Sequence, residues 1–181
     1  GIEVDGNGIV IDARPENHRY YGLYYYYSHI IDLDSYSTVN CFTFYQDGYA
    51  QSSEEPSRVS NIVIKGFDRA IAFHHGHRRN VIVENADFIR NIWAVFPRGQ
   101  NGTVKNCRIK ENILGGFYCE YNSYNWIIEG NIFRDNDTRG IKSYGDVVLD
   151  ACRNYIVRNN QFQTASYFTR PYHTAISLYR N

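Results

Sequence analysis

Five short segments of the sequence place polar and aromatic side chains at regular spacing, and these side chains are the chemical candidates. Each segment reads as a strand centred on an apolar residue, namely Ile71, Val95, Phe117, Ile141 and Ile176. Because side chains alternate across a strand, the neighbours of these residues point outward together. The outward residues able to contact a ligand are His74, Phe96, Arg98, Tyr118, Glu120, Lys142 and Tyr144. Sugars stack on aromatic rings, and charged groups hydrogen-bond their hydroxyls and carboxylates, so the pattern predicts a saccharide-binding strip.

Other interpretations of these residues stay open at the level of sequence. The strip also fits a plain polar surface that keeps the protein in solution. A glycoside hydrolase needs two carboxylates about 5–10 Å apart, and Glu120 with Asp146 or Asp150 is a conceivable pair. The histidine-rich run from His74 to Arg79 fits a metal or acidic-sugar contact, but a solvated basic corner explains it as well. We predict no dedicated metal site.

The elements that carry the strip form a repeat with a period of about 20 to 24 residues. The repeated first strands are Asn61–Lys65, Asn80–Glu84, Gly102–Lys105, Asn125–Glu129 and Asn154–Arg158. Each is followed by Gly or Asn and then by one of the strands described above. Short strands at this period, with no helical pattern, predict an all-β solenoid whose coils stack to bury a shared core.

Three sets of residues fix the predicted register of the coils. One exposed column has charges of alternating sign, which would attract each other between adjacent coils: Lys65, Glu84, Lys105, Glu129 and Arg158. A second column holds the amides of Asn91, Asn112 and Asn136, which can hydrogen-bond from coil to coil. The predicted buried stacks are Ile64, Val83, Ile128 and Val157, and the five apolar strand centres.

Residues 14–58 follow the repeat less well. Tyr20–Tyr27 and Val39–Tyr45 read as strands, and 46–58 reads as a long polar loop. Two further excursions are predicted at Gly145–Ala151 and Thr164–His173. The chain is therefore predicted to be a single domain, residues 1–181, of about six or seven coils.

Composition and charge narrow the function classes. The 181 residues include 19 basic and 19 acidic side chains, so the formal net charge is zero. This balance argues against a nucleic-acid or membrane-surface partner. The four cysteines, Cys41, Cys107, Cys119 and Cys152, contain no C-x-x-C pair, which argues against zinc. They allow two disulfides, but burial as small apolar residues is the favoured interpretation. The absence of Met, with Gly1 first, suggests a mature or trimmed product.

Two segments carry a resemblance to a known family. Val4–Asp12 resembles the opening coil of right-handed parallel β-helix proteins of the pectate-lyase-like superfamily, and Asn154–Phe162 is similar to their generic repeat. The resemblance covers residues 2–13 and 59–181. It implies a right-handed parallel β-helix. For a lyase it implies Lys142 as the base, Arg98 as the group that neutralises the uronate, and Glu120 as an orienting residue or calcium ligand, with calcium the candidate cofactor.

We therefore expect an extracellular or cell-surface protein whose partner is a polysaccharide, and most simply a lyase acting on a uronate polymer. The alternative is a non-catalytic protein of the same fold, such as a glycan-binding module, an adhesin or a filament subunit. No capping helix is visible in the sequence. We therefore also expect either end-to-end self-association or contact with further chain at the solenoid ends.

Overall fold

A computed structural model of the protein describes residues 3–12, 37–44, 56–73, 80–119, 123–136, 145–164 and 174–179. Within these ranges the chain forms strands and no helix, and the strands build three parallel sheets. Sheet A contains β1 (Glu3–Asp5), β4 (Ser57–Ser60), β7 (Val81–Glu84), β10 (Gln100–Lys105), β13 (Tyr124–Glu129) and β16 (Arg153–Arg158). Sheet B contains β2 (Val10–Asp12), β5 (Val63–Lys65), β8 (Asp87–Ile89), β11 (Arg108–Lys110), β14 (Ile132–Arg134) and β17 (Gln161–Gln163). Sheet C contains β3 (Ser37–Phe44), β6 (Phe67–Phe73), β9 (Trp93–Phe96), β12 (Gly115–Cys119), β15 (Val147–Asp150) and β18 (Ile176–Tyr179).

Each turn of the chain adds one strand to each sheet. The chain visits A, B and C in that order and then returns to A one coil further along, so every pair of neighbouring strands is parallel. Six strands in each sheet give six coils among the described residues. The predicted all-β parallel solenoid of six or seven coils is thereby confirmed.

Apolar side chains from the three sheets fill the interior as stacks that run along the solenoid. On sheet C the stack is Phe42, Ile71, Val95, Phe117, Val147 and Ile176. On sheet A it is Val4, Val59, Val83, Val104, Ile128 and Val157. On sheet B it is Ile11, Ile64, Phe88, Ile109, Phe133 and Phe162. Each stack is buried in the middle coils, so every coil depends on its neighbours for a core.

The predicted register is wrong for the second coil. Lys65 lies on sheet B beside Asp12, and Ser60 occupies the place predicted for it next to Glu84. Ile64 therefore belongs to the sheet B stack. The reason is that Asn61, with φ of 52°, is the left-handed turn residue of its coil, as Asn85 is in the next. The rest of the charged column, Glu84, Lys105, Glu129 and Arg158, is confirmed.

The predicted alignment of the fifth coil is also wrong. Its sheet C strand is β15, inside the segment predicted as an excursion, and Val147 occupies the place predicted for Ile141. Val148 then pairs with Tyr118, at the position predicted for Lys142. Asp150 pairs with Tyr179, at the position predicted for Tyr144.

The predicted asparagine ladder is present at the turn from sheet B to sheet C. The side-chain amide of Asn91 donates to Oδ1 of Asn112 (3.2 Å), and that of Asn112 donates to Oδ1 of Asn136 (2.7 Å). The ladder ends on Asp146, which accepts from the Asn136 amide at 2.7 Å. Asn131 and Asn160 form a second ladder at the turn from A to B, which was not predicted.

The cysteines behave partly as expected. Cys107 is a buried free thiol, but Cys119 and Cys152 form a disulfide that joins the end of β12 to the start of the sixth coil. The prediction that the cysteines are unlinked small apolar residues is therefore wrong for Cys119 and Cys152.

The prediction for the first coil is tested only in the residues that the structure describes. The predicted strand at Val39–Tyr45 is confirmed as β3, whereas Tyr20–Tyr27 lies outside the described residues. In the part of the chain that is described, no helix is long and apolar enough to cross a membrane.

Candidate functional site

Three of the seven predicted site residues lie in described parts of the chain, and all three are on the outer side of sheet C or just beyond it. The ring of Phe96 lies beside that of Tyr118 on the next coil, with 5.3 Å between centroids. The guanidinium carbon of Arg98 lies 4.9 Å from the Phe96 centroid. The structure therefore brings these three residues together. His74, Glu120, Lys142 and Tyr144 lie outside the described residues.

Two residues that the sequence did not indicate complete this group. Trp93, at the start of β9, stacks on Tyr118 with 4.5 Å between centroids. Arg69 on β6 holds its guanidinium carbon 4.3 Å from the Phe96 centroid. We call Arg69, Trp93, Phe96, Arg98 and Tyr118 the arginine–aromatic cluster.

The backbone explains why the cluster forms at this place. Arg69, Trp93 and Gly115 occupy the same position on three successive coils. A Cβ atom on Gly115 would lie 2.7 Å from Cζ3 of Trp93, so only glycine leaves room for the indole ring. The indole can then lie along the sheet and reach Tyr118.

The outer side of sheet C is more closed than predicted. Phe96 is 3 % exposed and Trp93 is 5 % exposed, and Ala72, Val148 and Ser177 on the same side are also buried. The expectation of an open strip along this whole side is therefore wrong. Tyr118 and Arg98 are half-buried, and the side chain of Arg69 is 30 % exposed. A ligand would meet these three side chains, and the buried rings would support them from below.

The cluster contains two positively charged side chains. Arg69 and Arg98 both lie within 5 Å of one ring centroid, so their guanidinium carbons are at most about 9 Å apart. Asp68 lies 4.0 Å from Arg69 and offsets part of this charge. Burial raises the pKa of the Asp68 carboxyl, and the positive charge of Arg69 opposes that effect. A cationic pair on an aromatic base suits a carboxylate attached to a sugar ring.

The other predicted chemistry is not assembled by the described residues. Val148, which cannot exchange a proton, occupies the strand position predicted for Lys142, so the base role of Lys142 stays a prediction. In the described residues no three His, Cys, Asp or Glu side chains are grouped as metal ligands, and calcium also stays a prediction.

The outer side of sheet A offers little to a ligand. Glu84 forms ion pairs with both Arg58 and Lys105, and Glu129 accepts from Arg158 at 2.6 Å. Opposite charges that neutralise each other from coil to coil are a surface feature worth about 0.2–1 kcal/mol per pair.

Comparison with known proteins is consistent with this architecture. A family model described as "right handed beta helix region" matches residues 1–162. No curated protein and no solved structure matches the chain in the corresponding searches.

Proposed function

Since the chain belongs to the right-handed β-helix family, we propose that it uses one side of the helix to bind an acidic polysaccharide, through the arginine–aromatic cluster. One observation carries the proposal: two guanidinium groups share the ring of Phe96 beside the stacked rings of Trp93 and Tyr118. A flexible cation on a surface must lose side-chain entropy when it binds a ligand, which reduces the affinity. Cations held against buried rings are already ordered, so this cost is smaller.

The cluster matches the chemistry of a uronate. The carboxylate would accept hydrogen bonds from Arg69 and Arg98, and the sugar ring would pack against the half-buried side chain of Tyr118. Phosphate would satisfy the arginines but would gain nothing from the aromatic surface. The proposed ligand is therefore a carboxylated sugar within a polymer.

Lyase activity is the finer form of the proposal and rests on the family resemblance. In such a reaction, a cation neutralises the uronate carboxylate, and a base takes the proton from the adjacent carbon. The electrons of that C–H bond then form the new C=C double bond, the neighbouring C–O bond breaks with its electron pair on the glycosidic oxygen, and this oxygen takes a proton from water as it leaves. Arg98 would be the neutralising cation, Lys142 the base and Glu120 the orienting residue or calcium ligand.

The alternative is a protein of the same fold that binds the glycan without cleaving it. The two are separated by incubating the protein with pectate, alginate and glycosaminoglycans, with and without calcium, and measuring the ultraviolet absorbance of unsaturated product. If the protein is a lyase, Lys142→Ala abolishes product formation and leaves binding mostly intact, because a base acts in the transition state. If it only binds, no unsaturated product forms with any polymer.

An extracellular or cell-surface location is also proposed, and the Cys119–Cys152 disulfide supports it. Disulfides persist mainly in oxidising compartments. End-to-end association of two copies stays a prediction, which sedimentation at increasing protein concentration would test.

Binding itself is tested by calorimetric titration with oligogalacturonate, and neutral dextran serves as the ligand control. Arg69→Gln and Arg98→Gln should each weaken binding about tenfold, because each removes a charge-assisted contact. Arg58→Gln is the matched control, since it removes one positive charge from sheet A, where Glu84 already pairs with it. An equal loss in all three variants would contradict the proposal.

A further inference from the structure

A second surface of the solenoid has a charge pattern that the fold does not explain. On the outer side of sheet B, Lys110 and Arg134 occupy the same position on adjacent coils, with their backbones about 4.8 Å apart. Like charges in direct register repel each other and destabilise a sheet. The corresponding column of sheet A alternates in sign from Glu84 to Arg158. The contrast leaves the positive pair on sheet B without an opposite charge at the adjacent positions of its own column, which are Ile89 and Gln163.

The neighbouring groups cancel only part of this charge. Among the described residues, Lys110 has no carboxylate within ion-pair distance, whereas Lys65, in the same column, contacts Asp12 at 3.0 Å. Arg134 contacts the buried carboxylate of Asp135 at 3.2 Å through Nε, and its side chain is 55 % exposed.

Arg108 adds a third cation two residues before Lys110 on the same strand and the same side. Its Nε and Nη2 atoms both donate hydrogen bonds to the carboxylate of Asp87, and its side chain is nevertheless 68 % exposed. The hydrogen bonds to Asp87, together with its Coulomb attraction, raise the pKa of the already basic Arg108, so this side chain remains charged.

These residues line one groove of about 390 Å³. Its walls are Asp87, Arg108, Lys110, Ile132, Arg134 and Gln163. In this lining three cations face one carboxylate, Asp87, which Arg108 already engages, while Arg134 also contacts Asp135 outside the lining. Ile132 supplies an apolar patch beside Arg108, and Gln163 supplies an amide beside Arg134.

We propose that this sheet B groove is a second anion-binding site, which takes a sulfate- or carboxylate-bearing saccharide. Lys110 and Arg134 would share the oxyanion, the sugar ring would cover Ile132, and the Gln163 amide would bond a hydroxyl. The positive charge extends over only two coils, and the protein has no net charge. A nucleic acid, which needs many phosphate contacts, is therefore a poorer fit than a glycan. The inference does not depend on the arginine–aromatic cluster or on lyase activity.

Fluorescence titration at low salt, about 0.05 M, keeps weak charge contacts measurable. The labelled probes are a heparin oligosaccharide for the sulfated source, an oligogalacturonate for the carboxylated source, and a DNA duplex. The arginine–aromatic variants Arg69→Gln and Arg98→Gln are titrated in parallel, so that failure of one site is distinguished from failure of the other.

The double variant Lys110→Gln/Arg134→Gln should weaken binding of the preferred saccharide about tenfold. Each exposed charge contact contributes up to about fivefold, and two such contacts are lost. The matched control Lys105→Gln/Arg158→Gln removes the same charge from the self-neutralised column of sheet A and should change binding less than twofold. The single variant Lys110→Gln should also melt at the same or a higher temperature than the wild type, because it relieves repulsion and breaks no ion pair. The sheet A control should melt at the same or a lower temperature.

Three results would overturn the proposal. One is an equal loss of binding in both double variants, which would mean diffuse attraction to any positive surface. Another is the absence of saturable binding of either saccharide by the wild type. The third is tighter binding of the DNA duplex than of both saccharides.

Discussion

The indole ring of Trp93 stacks on the phenol ring of Tyr118, with 4.5 Å between centroids and 27° between planes. The two residues lie on adjacent coils, and Gly115 sits in register beside Trp93 on the coil that carries Tyr118. The stack therefore links the aromatic base of the proposed site to a single glycine.

Substitution of that glycine should damage the site without unfolding the protein. A methyl group in Gly115→Ala would lie 2.7 Å from Cζ3 of Trp93 and 2.9 Å from the carbonyl oxygen of Gly145, so the indole and the Gly145 backbone must both shift. We expect an altered near-ultraviolet circular dichroism spectrum and at least threefold weaker oligogalacturonate binding. Tyr118→Phe keeps the ring and is the control, and it should retain the stack. An unchanged near-ultraviolet spectrum in Gly115→Ala would contradict the role given to this glycine.

The corrected register of the fifth coil makes a separate prediction. Val147 is fully buried between Phe117 and Ile176. Val147→Asp should prevent folding, since an unpaired buried charge costs several kcal/mol. Val10→Asp introduces the same charge at a position that is 54 % exposed and should fold normally. Circular dichroism and thermal melting distinguish the two outcomes, and a Val147→Asp variant with a cooperative wild-type-like melt would refute the alignment.

The asparagine ladder should contribute measurably to stability. The Asn112 amide donates to Asn136 and to the carbonyl of Phe88, and its oxygen accepts from Asn91, all in the buried interior. Asn112→Ala removes these bonds and leaves buried groups without partners. Urea denaturation should show a loss of about 2–4 kcal/mol in the free energy of unfolding. Asn40→Ala, which breaks one exposed side-chain bond, should cost less than about 0.5 kcal/mol, and equal losses would argue against the ladder.

The disulfide should stabilise the last coils against the fourth. Cys119 and Cys152 close a loop over a sequence separation of 33 residues, for which the chain-entropy estimate is about 3–4 kcal/mol. Replacing both by Ser should lower the unfolding free energy by that amount, whereas Cys41→Ser should have little effect. In the folded protein the Cys107 thiol should resist alkylation near neutral pH, because burial raises its pKa to about 12. Peptide mapping that finds four free thiols would contradict this prediction.

The sequence was sufficient to predict the fold because a β-solenoid repeats one simple pattern. Apolar residues at every second position, followed by Asn or Gly, marked the strands of the third, fourth and sixth coils correctly. The pattern fails where two segments satisfy it equally well. Asn61 and Asn80 both precede an apolar run, and only the left-handed backbone of Asn61 shows which of them ends a sheet A strand.

The site was harder to predict than the fold, for a related reason. Ala70 and Ile71 both belong to the core, and so do Ala94 and Val95, so the alternation of sides is interrupted at these positions. Strict alternation would place Arg69 and Trp93 inside the solenoid, and both were therefore missed. Alternation resumes after Val95 and Phe117, and Phe96, Arg98 and Tyr118 were therefore found. The sequence of one strand does not show whether its outer side is covered by other parts of the chain, so the burial of this side of sheet C could not be predicted.

The most direct test of the account is a crystal structure of the protein with a bound oligogalacturonate. We predict a uronate carboxylate within hydrogen-bonding distance of Arg69 or Arg98, with a sugar ring packed against Tyr118. Density for the sugar confined to the self-neutralised column of sheet A, or an empty arginine–aromatic cluster at saturating ligand, would contradict the central claim.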